Sequence, residues 1–143
     1  TDRFAWSGKA RQVAIAEDAH AVVDSLTACK FLFFAASLEE YARAYAAVTG
    51  VNATGHDLLR LGARIDYAER VMNARNGFGA ADDDLPARFF DQAGSSGGGV
   101  EVPALSRADF LEARARYYQI RGLDPLGRPT AERASELGVP WSA

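Results

Sequence analysis

The chain has 143 residues and a mass of 15.4 kDa, room for one ordinary core and too little for two. Its 48% apolar and 24% charged residues describe a folded sequence rather than a disordered one, and a net charge of −3 excludes the basic footprint of a nucleic-acid binder. One cysteine, Cys29, and two histidines, His20 and His56, exclude an internal disulfide, a Cys-based structural zinc site and an iron–sulfur cluster held by this segment alone.

No apolar run approaches the roughly 20 residues that span a bilayer. The longest, Phe31 to Ala36, reads as buried core. Thr1-Asp2-Arg3-Phe4 is no secretory signal, and Thr1 in place of Met implies either a removed Met or a piece of a longer protein. Of sixteen basic residues only Lys9 and Lys30 are lysine, a bias that fits GC-rich coding better than phosphate binding.

Periodicity predicts helices and almost no strand. The first runs from about Lys9 to Asp24, with Val13, Ala16, His20 and Val23 on one stripe, followed by a break at Ser25–Cys29. A second opens at the capping box Ser37–Glu40, turns Leu38, Tyr41, Tyr45 and Val48 inward, and ends at Gly50. Thr54 and Asp57 open the longest helix, whose inward face is Leu58, Leu61, Ile65, Ala68 and Met72 and which Gly77 and Gly79 close. Asp84 is placed to cap a short helix with Pro86 in its first turn. Ala93 to Gly99 reads as a flexible loop, and Val100–Val102 as a scrap of strand at most. Ser106 and Asp109 cap a further helix with Phe110, Ala113, Tyr117 and Ile120 inward, stopped by Gly122. A last short helix starts at Thr130 and ends at Gly138-Val-Pro140. The expected fold is all-α, a single irregular helical bundle over residues 1–143.

Few positions carry chemistry. A lone cysteine among apolar residues is most often a small buried hydrophobe. Cys29, however, sits in a break between helices beside Lys30, whose ammonium would favour a metal-ligating thiolate. Asp24 reads as a cap or as an acceptor for an amine-bearing cofactor. His20 reads as a half-buried, satisfied histidine or a partner of Asp24, and His56 as a surface residue in a first turn. Asp82–Asp84 lacks the alternating ligands of a calcium loop and reads as a solvated turn. Arg70 and Arg75, interleaved with acids, read as salt-bridge formers, and Phe89-Phe90 and Tyr117-Tyr118 as packing pairs. No Ser/His/Asp order, GxSxG, HExxH or P-loop is present.

Three stretches carry a resemblance. They are Asp24-Ser-Leu-Thr-Ala-Cys29; Leu61-Gly-Ala-Arg-Ile-Asp-Tyr-Ala-Glu-Arg70-Val-Met-Asn73-Ala-Arg-Asn-Gly77 continued by Asp83-Asp84-Leu85-Pro86-Ala-Arg88; and Tyr117-Tyr118-Gln-Ile-Arg121-Gly122-Leu-Asp124-Pro-Leu-Gly127-Arg-Pro129-Thr130. In this order they resemble the C-terminal helical region of the aldehyde ferredoxin oxidoreductase family of tungsten- or molybdenum-pterin enzymes. Departures are Thr27 and Ala28 for the family's Gly and Leu, Ala63 for Glu, Met72 for Phe and Leu123 for Trp.

The resemblance implies that Asp24 contacts the pterin, with Lys30 grouped beside it as cofactor-binding, and that Cys29 is the last ligand of a 4Fe-4S cluster. It implies oxidation of aldehydes to carboxylic acids with ferredoxin or a similar carrier as acceptor, in a cytoplasmic enzyme. The family's pterin-binding sheet and its Cys-x-x-Cys-x-x-x-Cys run have no counterpart here. An N-terminal pterin-binding domain is therefore an expected partner, with room for a homo-oligomer, and neither bound cofactor nor turnover is expected of this chain alone. The alternatives are the active-site subunit of an aromatic acyl-thioester reductase of the same family, or a stand-alone helical interaction module.

Overall fold

The structure is a computed structural model that describes residues 5–95, 98–99 and 101–141. Thr1–Phe4 and part of the predicted loop before Val100 lie outside the described residues. The fold is all-α: helices α1 (Lys9–Ser25), α2 (Leu38–Thr49), α3 (Gly55–Arg75), α4 (Arg88–Asp91), α5 (Arg107–Arg121) and α6 (Ala131–Leu137), with a 3-10 turn at Lys30–Phe34. Among the described residues strand is confined to β1 (Gly94–Ser95) and β2 (Glu101–Val102), paired antiparallel with Gly94 opposite Val102.

The helix ends follow from local chemistry. Ser37 and Glu40 form a capping box on α2, as do Thr54 and Asp57 on α3, so orphan N–H groups of both first turns are satisfied by side chains. Ser106 and Thr130 accept from Asp109 N–H and Arg133 N–H to start α5 and α6. Gly50, Gly122 and Gly138 take the left-handed conformation that ends α2, α5 and α6.

The helix faces are rotated from their expected positions. On α1 the buried residues are Ala14, Val22 and Val23, while Val13, Ala16 and His20 face out. On α3 they are Gly55, Leu58, Gly62, Tyr67 and Val71, and Leu61 and Met72 are exposed. The cause is Gly62: a Cβ there would run into the Asp18 main chain, so the missing side chain lets α1 lie directly on α3 and sets which residues meet. Val48 and Ile120 are likewise exposed, and α5 buries Tyr118 and Arg121 instead.

Two apolar clusters result, both built on α3. Val22, Val23, Tyr41, Ala42 and Leu58 form one, with Phe33 and Leu38 packed at its edge. Tyr67, Val71, Ala134, Leu137 and Val139 form the other, where α6 folds back on α3. Tyr67 carries a polar group into this second core and satisfies it there. Its hydroxyl accepts from Thr130 N–H (2.8 Å) and faces the Gly122 and Thr130 carbonyls, each at 3.1 Å.

Asp82 and Asp84 of the acidic run are exposed, as a solvated turn requires, but Asp83 is not. Asp83 is half-buried and takes both terminal nitrogens of Arg70 (2.8 and 2.5 Å), a fork that fixes geometry as well as charge, and it accepts from the Tyr118 hydroxyl at 2.5 Å. Arg70 Nε donates to the Gly127 carbonyl at 2.7 Å, and a Cβ at Gly127 would fill the space these three groups share. Burial alone would raise the Asp83 carboxyl, but the bonds from Arg70 and Tyr118 together hold it below its ordinary value. Asp84 caps no helix. It accepts from Leu85 N–H and pairs with Arg107, and Ala87 precedes the short α4.

Gly62→Ala should cost about 3 kcal/mol in a urea unfolding measurement, because the clash is with backbone that cannot rotate away. Asp83→Asn should lower stability by about 2 kcal/mol at pH 7. A carboxyl held low in the folded state stabilises above its unfolded value and loses that contribution as pH falls through the folded one. The gap between wild type and variant should therefore close below about pH 4 in pH-dependent melts.

Candidate functional site

The break after α1 is a built C-cap. Thr27 N–H donates to the Asp24 carbonyl and Ala28 N–H to the Val23 carbonyl, both at 3.0 Å, the paired bonds of a Schellman motif. The first of these donors occupies the position that must be left-handed, and Thr27 sits there at φ 54°. A β-branched side chain is strained there, which gives a physical reason for the glycine that the resemblance places at this position.

This reversal delivers Cys29 to the surface. Its thiol is free and exposed, not a packed hydrophobe, while its carbonyl accepts from Leu32 N–H (3.1 Å) and the Tyr41 hydroxyl (3.5 Å). Lys30 turns to Asp24 instead of the thiol, Nζ to Oδ2 2.8 Å, with both side chains about half exposed. Such a surface pair is worth at most about 1 kcal/mol, so both groups can be recruited by another ligand at little cost. Asp24 is thus an ion-pair partner within the last turn of α1, and His20, exposed, packs its ring on Phe33 at 5.8 Å.

The expectation that Phe31–Ala36 is buried is overturned. Phe31 is 75% exposed and Phe34 88%, their rings stacked on each other at 6.0 Å, and Leu32 is also exposed. A 3-10 turn repeats every three residues, so Phe33 and Ala36 share the inward side and Phe31 and Phe34 the outward one. An uncovered aromatic patch therefore follows Cys29 directly. No group of three or more His, Cys, Asp or Glu among the described residues could hold a metal ion.

A second polar site was not read from the sequence. Arg121, 8% exposed, donates to Glu17 (2.6 Å), Asp18, the Ala14 carbonyl (3.0 Å), the Tyr117 hydroxyl (3.2 Å) and Asp66 (3.4 Å). Tyr117 donates to Glu17 at 2.7 Å, and burial, then that bond, pushes its hydroxyl up to about 12. Glu17, Asp66, Glu69, Arg70 and Arg121 face a cavity of about 250 Å³, lined by neither Asp24 nor Cys29. Its partners stand up to 104 residues apart, so no spacing pattern could announce it. Arg64 and His56 are exposed, and Arg75 reaches the Pro140 carbonyl at 3.2 Å.

The fold and this surface define a helical chain with an exposed thiol and an exposed ion-paired acid beside an aromatic patch. The family model for aldehyde ferredoxin oxidoreductase, domains 2 and 3, matches residues 1–139, and the chain belongs to that family. The tungsten-containing aldehyde ferredoxin oxidoreductases of Pyrococcus furiosus and Thermococcus kodakarensis are each 32% identical over 133 residues, 92% of this chain and 21% of theirs. The chain thus spans about a fifth of the length of these relatives. The active site complex BamBC of benzoyl coenzyme A reductase, solved with 1,5-dienoyl-CoA, shares the fold with a TM-score of 0.80 at 21% identity, over 97% of this chain and 20% of that one.

Replacing Thr27 by Gly should raise stability by about 0.5–1 kcal/mol. It relieves roughly 1–2 kcal/mol of left-handed strain against about 0.4–1 kcal/mol of glycine entropy. Thr27→Ala keeps the Cβ and should show no such gain in the same thermal melt.

Proposed function

We propose that this chain is the C-terminal helical domain, residues 1–143, of a tungsten- or molybdenum-pterin, iron–sulfur oxidoreductase that oxidises aldehydes to carboxylic acids, with ferredoxin or a similar carrier as electron acceptor. The observation that carries the reading is the exposed Cys29 thiol, set by a dedicated helix cap between the Asp24–Lys30 pair and the bare Phe31–Phe34 patch. Relatives at 32% identity that are named as tungsten-containing support the metal and the reaction class.

The donor set fits a shared site. A thiolate is the ligand iron takes, and with no further ligand group among the described residues the remaining cysteines come from elsewhere in the enzyme. Cys29 would hold the 4Fe-4S cluster. The Asp24 carboxylate would accept from pterin N–H groups, and Lys30 would release Asp24 to do so or contact the cofactor itself. A bound pterin-metal centre would supply two-electron oxidation chemistry for an aldehyde carbon, and a bound cluster one-electron transfer.

This chain's own part is to bind and to exclude water. Phe31, Leu32 and Phe34 press against the pterin-binding domain and keep solvent from the junction. The Tyr41–Cys29 bond and the cap at Thr27 hold the backbone that presents the thiol. The setting is a cytoplasmic enzyme, and no helix among the described residues is long and apolar enough to cross a membrane. The chain alone turns nothing over. The likeness to the BamBC complex rests on fold only and gives no ground to prefer thioester reduction.

Cys29→Ser tests the assignment. In the full-length enzyme, anaerobically prepared, the variant should lose or alter the cluster's EPR signal and iron content while this exposed substitution changes stability by no more than about 0.5 kcal/mol. An unchanged cluster refutes the ligand role.

A further inference from the structure

Arg121 buries its charge at the crossing of three helices, and its acidic partners all come from the other two. Glu17 and Asp18 reach it from α1 and Asp66 from α3. Three carboxylates therefore share one guanidinium, and the other charges nearby do not restore the balance. Glu69 of α3 adds a further acid to the cavity, and Arg70 is already forked onto Asp83. Arg11 of α1 and Arg133 of α6 line the recess on the other side of Asp18 and Arg121, where Arg133 pairs with Glu136. Tyr117 of α5 gives its proton to a hydrogen bond with Glu17 and stays neutral.

Asp66 is the most weakly held of the three, at 3.4 Å from Arg121 against 2.6 Å for Glu17. It shares the Arg121 guanidinium with Asp18, whose backbone is pressed onto α3 at Gly62. Repulsion between those two carboxylates acts on the very contact that seats α1.

We infer that Asp18 and Asp66 hold one proton between them against Arg121, and that losing it loosens α1 from α3 and α5, a pH-sensitive latch on the helix that ends in the Asp24–Cys29 turn. Burial, then the hydrogen bond with Asp18, pushes the Asp66 carboxyl up to about 7, with Arg121 opposing. A carboxyl raised in the folded state stabilises fully below its unfolded value near 3.8 and loses that contribution as pH rises through about 7. The latch is closed at pH 6 and slack above pH 8. The inference does not depend on which cofactor the Asp24–Cys29 face meets.

Amide hydrogen exchange of the full-length enzyme, read by mass spectrometry on peptides of this chain at pH 6.0 and 8.5, tests it. After correction for base-catalysed exchange chemistry, α1 peptides of the wild type should exchange about tenfold faster at pH 8.5 than at pH 6.0, the ratio that the shift from 3.8 to about 7 sets. Peptides of α6 should not change. In Asp66→Asn the α1 ratio should stay near one. A wild-type ratio near one, the same ratio in the variant, or equal acceleration in every helix would overturn the latch. Should Asp66→Asn fail to fold, carbon-13 carboxyl NMR of the wild type decides: a carboxyl titrating near pH 7 supports the inference, and all carboxyls ionised by pH 5.5 overturn it.

Discussion

A buried guanidinium cannot shed its charge, so everything around Arg121 must be arranged to solvate it. That requirement explains why α1 turns Asp18, and not its Val13–His20 stripe, toward the interior, and why Glu17 leans back to Tyr117. It works only because Gly62 leaves room for the Asp18 main chain to lie on α3. Arginine, acids and glycine are one device: the missing side chain sets the distance, and the charges set the rotation of the helices about it.

The second polar node does similar work at the C-terminal end. Arg70, Asp83 and Tyr118 meet over Gly127, so the segment after α3, the end of α5 and the loop leading to α6 are tied at one place. Tyr67 fastens the same loop from within the apolar cluster. Polar fixation is therefore spent where α3, α5 and α6 converge. The far end, beyond α1, is held mainly by the apolar cluster of Val22, Val23, Tyr41 and Leu58 and carries its aromatic residues outward.

The two ends therefore differ in what they leave exposed. One end is self-sufficient, and the other shows Cys29, the Asp24–Lys30 pair and two uncovered phenylalanines on a single turn of chain. The chain belongs to the aldehyde ferredoxin oxidoreductase family and covers about a fifth of its relatives' length.

The sequence by itself determined where α2, α3, α5 and α6 begin and where α2, α5 and α6 end, because capping is decided within four residues: Ser37 with Glu40, Thr54 with Asp57, Ser106, Thr130, and the glycines at 50, 122 and 138. It also determined the three ordered motifs and hence the family, and it singled out Asp24 and Cys29. Tertiary structure decided the helix faces, because α1 and α3 carry apolar residues on more than one side and only the contact at Gly62 chooses among them. It decided that Phe31 and Phe34 face solvent, since a six-residue apolar run does not reveal a three-residue repeat. And it alone assembled Glu17, Asp18, Asp66 and Arg121, whose partnership across 55 to 104 residues leaves no local signal.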